Sequence, residues 1–547
     1  MASAKEKSRV KRDGVVTETD YIIVGAGSAG CILANRLSAD PSVSVVLLEA
    51  GGADAHLFYR MPAGYRQLMK SGMGNWKYES EPQAGLNGRR MYFPRGKVLG
   101  GSSSINAMVC LRGNPGDYDE WSQLGNRGWS YEDCLPYFKR VERFDGGPDD
   151  YRGGDGFVGV SRGPSVEEMG PISKAWVRAG IEAGYPYNPD MNGKTQEGFG
   201  PINANYAQGR RQSASWCYLG PVLSRPNLKV ITGAMATKVA LRAGRAVGVK
   251  YSKAGQSKTV QATREVILAG GAINSPVLLQ LSGIGDAETL KAAGVKVLHE
   301  LPGVGENLQD HVCITLKQQI TKPYSALSKI TPFNAAKSLA QYVLFKSGPA
   351  SANGLQCMAF VKSRPGLSEP DIQFHLPMVM YRDHGRQIIK KEGFMAMANA
   401  CRPRSRGTVK IASADPAHQP LIDPRYFSDP EDMRVTREGI RVARHVISQK
   451  EFDEFRGDEY EPGAIAASDD DLDSYIREHS HTAYHPVGTC KMGSDSLAVV
   501  DENLRVRGID RLRVVDASVM PNIVSANTNF PTMMIAEKGA EMIRAAQ

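Results

Sequence analysis

Asp20-Tyr-Ile-Ile-Val24 is a short apolar run that stops at Gly25-Ala-Gly27-Ser28-Ala29-Gly30, after which Leu33, Ala34 and Leu37 recur at helical spacing. A second apolar run, Val43 to Leu48, comes next and ends on Glu49. Strand, glycine turn, helix and strand make a βαβ unit, whose strands run parallel because a helix joins them. The first glycine permits the tight turn, the second lets a pyrophosphate approach the backbone, and the third lets helix and strand pack closely. Amides at the helix start then face the phosphates. Glu49, 24 positions beyond Gly25 and followed by Ala50, can accept from both hydroxyls of an adenosine ribose and repels a 2′-phosphate, which favours FAD or NAD over NADP.

A chain of 547 residues is too long for one core, so two domains are expected. Glu265-Val-Ile-Leu-Ala269 repeats the strand-before-glycine arrangement at Gly270, and Asn274 to Leu281 reads as the helix after it, extending the parallel sheet. Leu228 to Ile231, Lys238 to Leu241 and Ala246 to Tyr251 read as a small antiparallel layer. From His311 to about Ser480 the pattern changes to strands such as Asp371 to Leu376 and a periodic helix from Glu431 to Gln449. Nucleotide-domain character returns with the strand Leu512 to Val515, Asp516 and a closing helix from Thr532 to Ala545. The expected fold is mixed α/β: a Rossmann-like dinucleotide domain on a parallel sheet, with an inserted substrate domain on an antiparallel sheet flanked by helices. The nucleotide domain takes residues 1–165, 225–312 and 482–547, and the substrate domain 166–224 and 313–481.

The balance of 67 Lys+Arg against 58 Asp+Glu is too mild for a nucleic-acid stripe, and no apolar run reaches the roughly 20 residues of a membrane span. A soluble protein is expected. Lys5, Lys7, Arg9, Lys11 and Arg12 precede no apolar stretch, so residues 1–13 read as a solvated tail, with a peripheral contact at the inner face of a membrane as the alternative. The eight cysteines show neither a disulfide framework nor zinc spacing, which fits a reducing cytoplasm.

Pro94 to Asn106, with Gly100-Gly101-Ser102-Ser103-Ser104, is a row of amides and hydroxyls suited to anionic groups or ring edges. This segment and Gly271 to Gly285 resemble the two signature segments of the glucose-methanol-choline oxidoreductase family. The resemblance extends to Leu301-Pro-Gly-Val-Gly-Glu-Asn-Leu-Gln-Asp-His311, His485-Pro-Val-Gly-Thr-Cys-Lys-Met-Gly493, Val514-Val-Asp516 and Asn527-Thr-Asn529-Phe-Pro-Thr532. It implies FAD, with Gly100 to Asn106 along the isoalloxazine and Met235 to Val239 near adenine. The implied cofactor contacts are Gly25, Gly27, Ser28, Ala29, Gly30, Glu49, Ala50, Arg95, Gly100, Gly101, Ser102, Asn106 and Ala107, then Val239, Ala269, Gly270, Asp516, Ala517, Asn527, Pro531 and Thr532. Some relatives attach the flavin through a histidine; Ile105 stands at the matching position, so FAD is expected to be non-covalent.

His479, His481 and His485 crowd one segment, but their spacing does not place all three on one helix face and no nearby carboxylate completes a metal set, so no metal is expected. The resemblance gives His485 the role of catalytic base, and the donor about forty residues later is matched to Asn529. Imidazole suits proton removal from an alcohol during hydride transfer, whereas a carboxamide can only donate to the oxygen. Asn529 also reads as a helix N-cap before Pro531. Choline-handling relatives place a glutamate opposite the trimethylammonium. Gln356 stands at that position, and His375 matches another pocket histidine or is a satisfied core imidazole. A neutral amide offers a cation no Coulombic partner, which points to an uncharged primary alcohol oxidised to the aldehyde. Electrons pass to a quinone or other carrier; an oxidase using O2 and a choline dehydrogenase are the alternatives. A non-oxidising flavoprotein is disfavoured by the presence of both His485 and Asn529.

Overall fold

The computed structural model describes residues 18–463 and 466–546; the cationic segment 1–13 lies outside them. Two seven-stranded sheets organise the fold. In the first, Leu228–Ile231, Val45–Leu48, Glu18–Val24 and Gln256–Leu268 lie side by side and parallel. The far edge of Gln256–Leu268 is shared. Its first half pairs antiparallel with Arg245–Lys253, which in turn pairs with Met235–Arg242, and its last three residues pair parallel with Leu512–Val514. Val45 to Leu48 are all buried, as strands covered on both faces must be.

The second sheet is antiparallel, in the order Arg456–Glu461, Val312–Ile320, Gly393–Ala400, Ile372–His375, Cys357–Val361 and Gly198–Pro201. The amphipathic helix Pro430–Ile447 packs on it through residues such as Met433, Ile440 and Val446. Each sheet has its own apolar core.

Two expectations need correction. Leu228–Ile231 does not belong to the antiparallel layer. It extends the parallel sheet beyond Val45–Leu48, the Asn227 carbonyl accepting from the Val45 amide at 2.8 Å. The last helix begins at Asn529, not Thr532, because Pro531 sits where its missing N–H has no helical partner to bond.

Candidate active site

A cavity of about 590 Å³ runs from the glycine turn to the antiparallel sheet, within the range of roughly 300–1,000 Å³ usual for cofactor and ligand sites. Its nucleotide end is built by close backbone packing. Gly25 has φ +100°, and a Cβ there would lie 2.5 Å from the Ala269 carbonyl oxygen. A Cβ on Gly30 would lie 1.8 Å from the Gly25 carbonyl oxygen, and one on Gly101 2.8 Å from the Gly27 Cα. Only bare backbone fits in three places, leaving Gly27, Ser28 and Ala29 open to the cavity at the helix start. Glu49 accepts from the Ala26 and Gly51 amides at 2.9 and 2.7 Å, and burial raises its carboxyl to about 7. These features fit a dinucleotide: a positive helix end for the pyrophosphate and a carboxylate one strand away for the ribose.

Ala50, Arg95, Ser102, Asn106, Ala107, Ala269, Gly270, Asp516, Ala517, Asn527 and Thr532 also line the cavity, as does Ile105, whose side chain has no nucleophilic atom. Five expected residues do not. Gly30 and Gly100 act behind the lining, through the contact above and through a 2.7 Å bond from the Gly100 amide to the Ala26 carbonyl. Pro531 is buried inside the last helix. Val239 is fully buried with its amide on Ser282 Oγ at 2.8 Å, while Ala234, Met235 and Ala236 face the cavity instead. Gln356 points away from it, its Oε1 accepting from the Gly170 amide at 2.9 Å, and Leu355 faces in. At Leu355 and Gln356, adjacent residues of an extended segment point to opposite sides, so a placement correct in segment puts the wrong neighbour in the wall.

At the other end, the short strand His481–Thr482 pairs with Val312 and Cys313 and delivers the chain to His485. The segment Gln309-Asp310-His311 anchors both His485 and the loop before the last helix. Asp310 accepts from the His485 amide at 2.7 Å, from Thr482 Oγ1 at 2.6 Å and from the Tyr426 hydroxyl; burial raises its carboxyl to about 6. Gln309 grips the loop, donating to the Pro521 carbonyl at 3.0 Å and accepting from the Ile523 amide at 3.1 Å.

His311 holds the His485 ring. Its Nε2 lies 3.0 Å from the Cys401 carbonyl oxygen, which can only accept, so Nε2 bears the proton. Burial lowers His311 to about 4 and keeps it neutral, leaving Nδ1 a lone pair. The 2.9 Å contact between His311 Nδ1 and His485 Nδ1 therefore places a proton on the latter. His485 is pushed well below the usual imidazole range, by burial first and then by His311, His375 and Arg95. Its free Nε2 lone pair receives the Asn527 Nδ2 at 3.0 Å. Asn527 is oriented in turn: its Oδ1 accepts from Gln373 Nε2 at 3.1 Å, and Gln373 Oε1 accepts from Asn399 Nδ2 at 3.4 Å, across a paired position of the sheet. One directed chain of hydrogen bonds thus fixes the tautomer of His485.

Asn527 is the residue hydrogen-bonded to His485, and Asn529 lines the same cavity. Asn529 is the first residue of its helix and accepts from Ser28 Oγ at 2.7 Å, at the glycine turn; it is not the N-cap, which is Thr528. His375 lies in the same buried group, lowered to about 4 by burial, with its Nδ1 unpartnered and therefore not a satisfied core imidazole. His479 packs on Tyr475 at 4.5 Å and His481 on His384 at 5.5 Å, so the three crowded histidines go to different places.

A glycine-lined dinucleotide cleft thus opens onto a buried imidazole in one chamber. Models of the GMC oxidoreductase family match residues 19–313 and 403–536, and the chain belongs to that family. It is 44% identical over 96% of its length to "Oxygen-dependent choline dehydrogenase" of Photobacterium profundum, covering 93% of that protein. It is equally similar, at 44% over 96% of its length and 89% of the relative, to "Choline dehydrogenase, mitochondrial" of Mus musculus. Among solved structures, pyridoxine 4-oxidase from Mesorbium loti superposes with a TM-score of 0.87 at 31% identity, over 96% of this chain and 98% of that one. The protein is an FAD-dependent oxidoreductase acting on CH–OH donors.

Proposed function

We propose that the protein oxidises an uncharged primary alcohol to its aldehyde, with His485 Nε2 as proton acceptor and Asn527 as the donor that holds the alcohol oxygen. FAD, when bound, supplies the hydride acceptor. The alcohol hydroxyl takes the position on Nε2 that Asn527 now occupies, and the Asn527 amide donates to the oxygen as its proton leaves. His311 keeps the accepting lone pair on Nε2, facing away from itself. Asn529, bonded to Ser28, secures the last helix to the glycine turn. The observation that carries the reading is the His311–His485–Asn527 chain.

Preference for a neutral substrate rests on the charge of the chamber. Arg66, Lys70, Arg95 and Arg386 line it, and its carboxylates among the described residues are Glu49 and Asp516. Asp516 is saturated by Gly271, Ser275 and Ser518. The Trp76 ring is already covered by Lys97 Nζ at 4.3 Å. A quaternary ammonium would enter against four cations without a free carboxylate to meet it. The names of the relatives favour the second reading, choline oxidation. His485→Ala is expected to keep the yellow FAD complex but to slow anaerobic flavin bleaching by alcohols at least ~100-fold, the scale of a general base; undiminished bleaching removes the mechanism. In the same assay, bleaching by choline far faster than by neutral alcohols removes the substrate reading alone. The reduced enzyme is proposed to pass its electrons to a quinone or other carrier, and offering it quinone analogues and oxygen separately assigns the acceptor.

A further inference from the structure

The helix Pro332–Phe345 is turned inside out for a water-facing element. Tyr342 alone is buried, against Met61 and Ala350. On the opposite side Phe333 is 78% exposed and Leu344 71%, eleven residues apart and so on the same face at 3.6 residues per turn, with Val343 beside them and Phe345, 72% exposed, at the end. Apolar residues that normally fasten a helix to its domain here point outward. The charge carried by the segment itself has one sign, although Lys322, Lys362 and Arg364 are paired with Glu454, Glu197 and Glu431 from elsewhere in the fold. From Thr321 to Ser368 there is no Asp or Glu, but Lys322, Lys329, Lys337, Lys346, Lys362 and Arg364 are present. Lys329 and Lys337 have no carboxylate partner among the described residues. Arg60 is exposed and lies near Tyr342 at the base of the helix.

We infer that this helix docks the enzyme on an anionic lipid bilayer, lying in the plane of the interface with Phe333, Leu344 and Phe345 in the acyl boundary. Exposed aromatic and aliphatic residues ringed by lysine are the chemistry of an interfacial helix. A 14-residue helix, roughly 21 Å long at 1.5 Å per residue, is too short to span the bilayer. A second copy of the chain is the poorer occupant. A two-fold contact sets the same patch against itself, and here it would oppose lysine to lysine with no carboxylate between them. Ile330, just before the helix, is 37% exposed and also lines the cavity, so docking brings the cavity rim to the lipid surface.

The test is co-sedimentation of the full-length flavoprotein with vesicles of phosphatidylcholine, either pure or with about one-third phosphatidylglycerol. Binding is expected to the anionic vesicles, at least ~tenfold weaker to the neutral ones and weakened by salt. Phe333→Ser/Leu344→Ser/Phe345→Ser is expected to lower partitioning at least ~tenfold while flavin bleaching by alcohol in solution is unchanged. Lys337→Glu, on the same face, is expected to reduce binding to the anionic vesicles. The inference fails if the wild type does not bind, or if the triple variant binds as the wild type does, because the five cations before residue 13 would then account for the binding. It also fails if the triple substitution turns a dimer into a monomer, since a second copy would then cover the helix. None of these readings depends on the substrate or on the base.

Discussion

The two ends of the cavity are held in place by different means. At the nucleotide end backbone meets backbone: Gly25 against Ala269, Gly30 against Gly25, Gly101 against Gly27. At the substrate end the side chains around His485 are positioned by a relay from Asn399 through Gln373, Asn527 and His485 to His311 and the Cys401 carbonyl. Backbone packing tolerates no added atom but needs no particular partner. A hydrogen-bond relay tolerates small displacements but needs every donor and acceptor in its place.

The sharpest way to break this contrast is Gly30→Ala. In a helix alanine is favoured over glycine by about 1 kcal/mol, so any loss must come from the added carbon, 1.8 Å from the Gly25 oxygen. The expected product is protein without bound flavin, or no soluble protein, read from the ratio of flavin to protein absorbance. A flavin-replete Gly30→Ala enzyme would mean that the turn is less rigid than its packing indicates.

The next largest effect separates the two asparagines. Asn527→Ala is expected to slow anaerobic flavin reduction about 30- to 100-fold with FAD content unchanged, the scale of losing an oxygen-stabilising donor. Asn529→Ala, which removes the partner of Ser28, is expected to change the reduction rate less than about threefold and to weaken FAD retention by about 1 kcal/mol, a typical hydrogen bond. Reversed results would return the donor role to Asn529. A smaller effect, about tenfold, is expected for His311→Phe, which leaves His485 Nδ1 and the Cys401 carbonyl unpaired. His311→Gln, which can still accept and donate, is expected to recover most of the rate; a variant pair equally impaired would show that His311 fills space rather than sets a tautomer.

Legibility in the sequence divides along the same line. The glycine turn, Glu49 and the parallel strands are local in the chain, and their spacing announces them. The relay is not local: His311 and His485 are 174 positions apart, and Asn399 reaches Asn527 only through Gln373. His485 is readable because its motif resembles that of a known family, but nothing in Gln309-Asp310-His311 shows that each residue grips a different part of the last segment. Counting along Asn527-Thr-Asn529 does not resolve the two asparagines. The helix begins at Asn529 and turns its side chain toward Ser28, leaving Asn527 in the preceding loop to face His485. Gln356 misleads for a similar reason, since one residue of register in an extended segment exchanges wall for exterior.

The smallest effect is in the pH dependence, and its sign tests whether the relay acts as a unit. Proton removal needs neutral His485, whose protonation is opposed by burial and then by His311, His375 and Arg95. A depressed imidazole stays a base as pH falls through the ordinary value near 6.5, so the limiting rate of flavin reduction should be flat from about pH 8 to about 6.5 and decline only below that. His375→Asn removes one of the groups opposing the proton while keeping a polar side chain in the wall. Protonation of His485 then becomes easier, and the acid limb should move to higher pH, by less than about one unit because burial, the larger cause, remains. Since His375 also lines the cavity, KM is free to change; the shift must be read in the limiting rate constant, which reports the enzyme with substrate bound. A limb displaced toward lower pH would show that His375 stabilises the charged imidazole, and the picture of His311 and His375 opposing a charge on His485 would have to be abandoned.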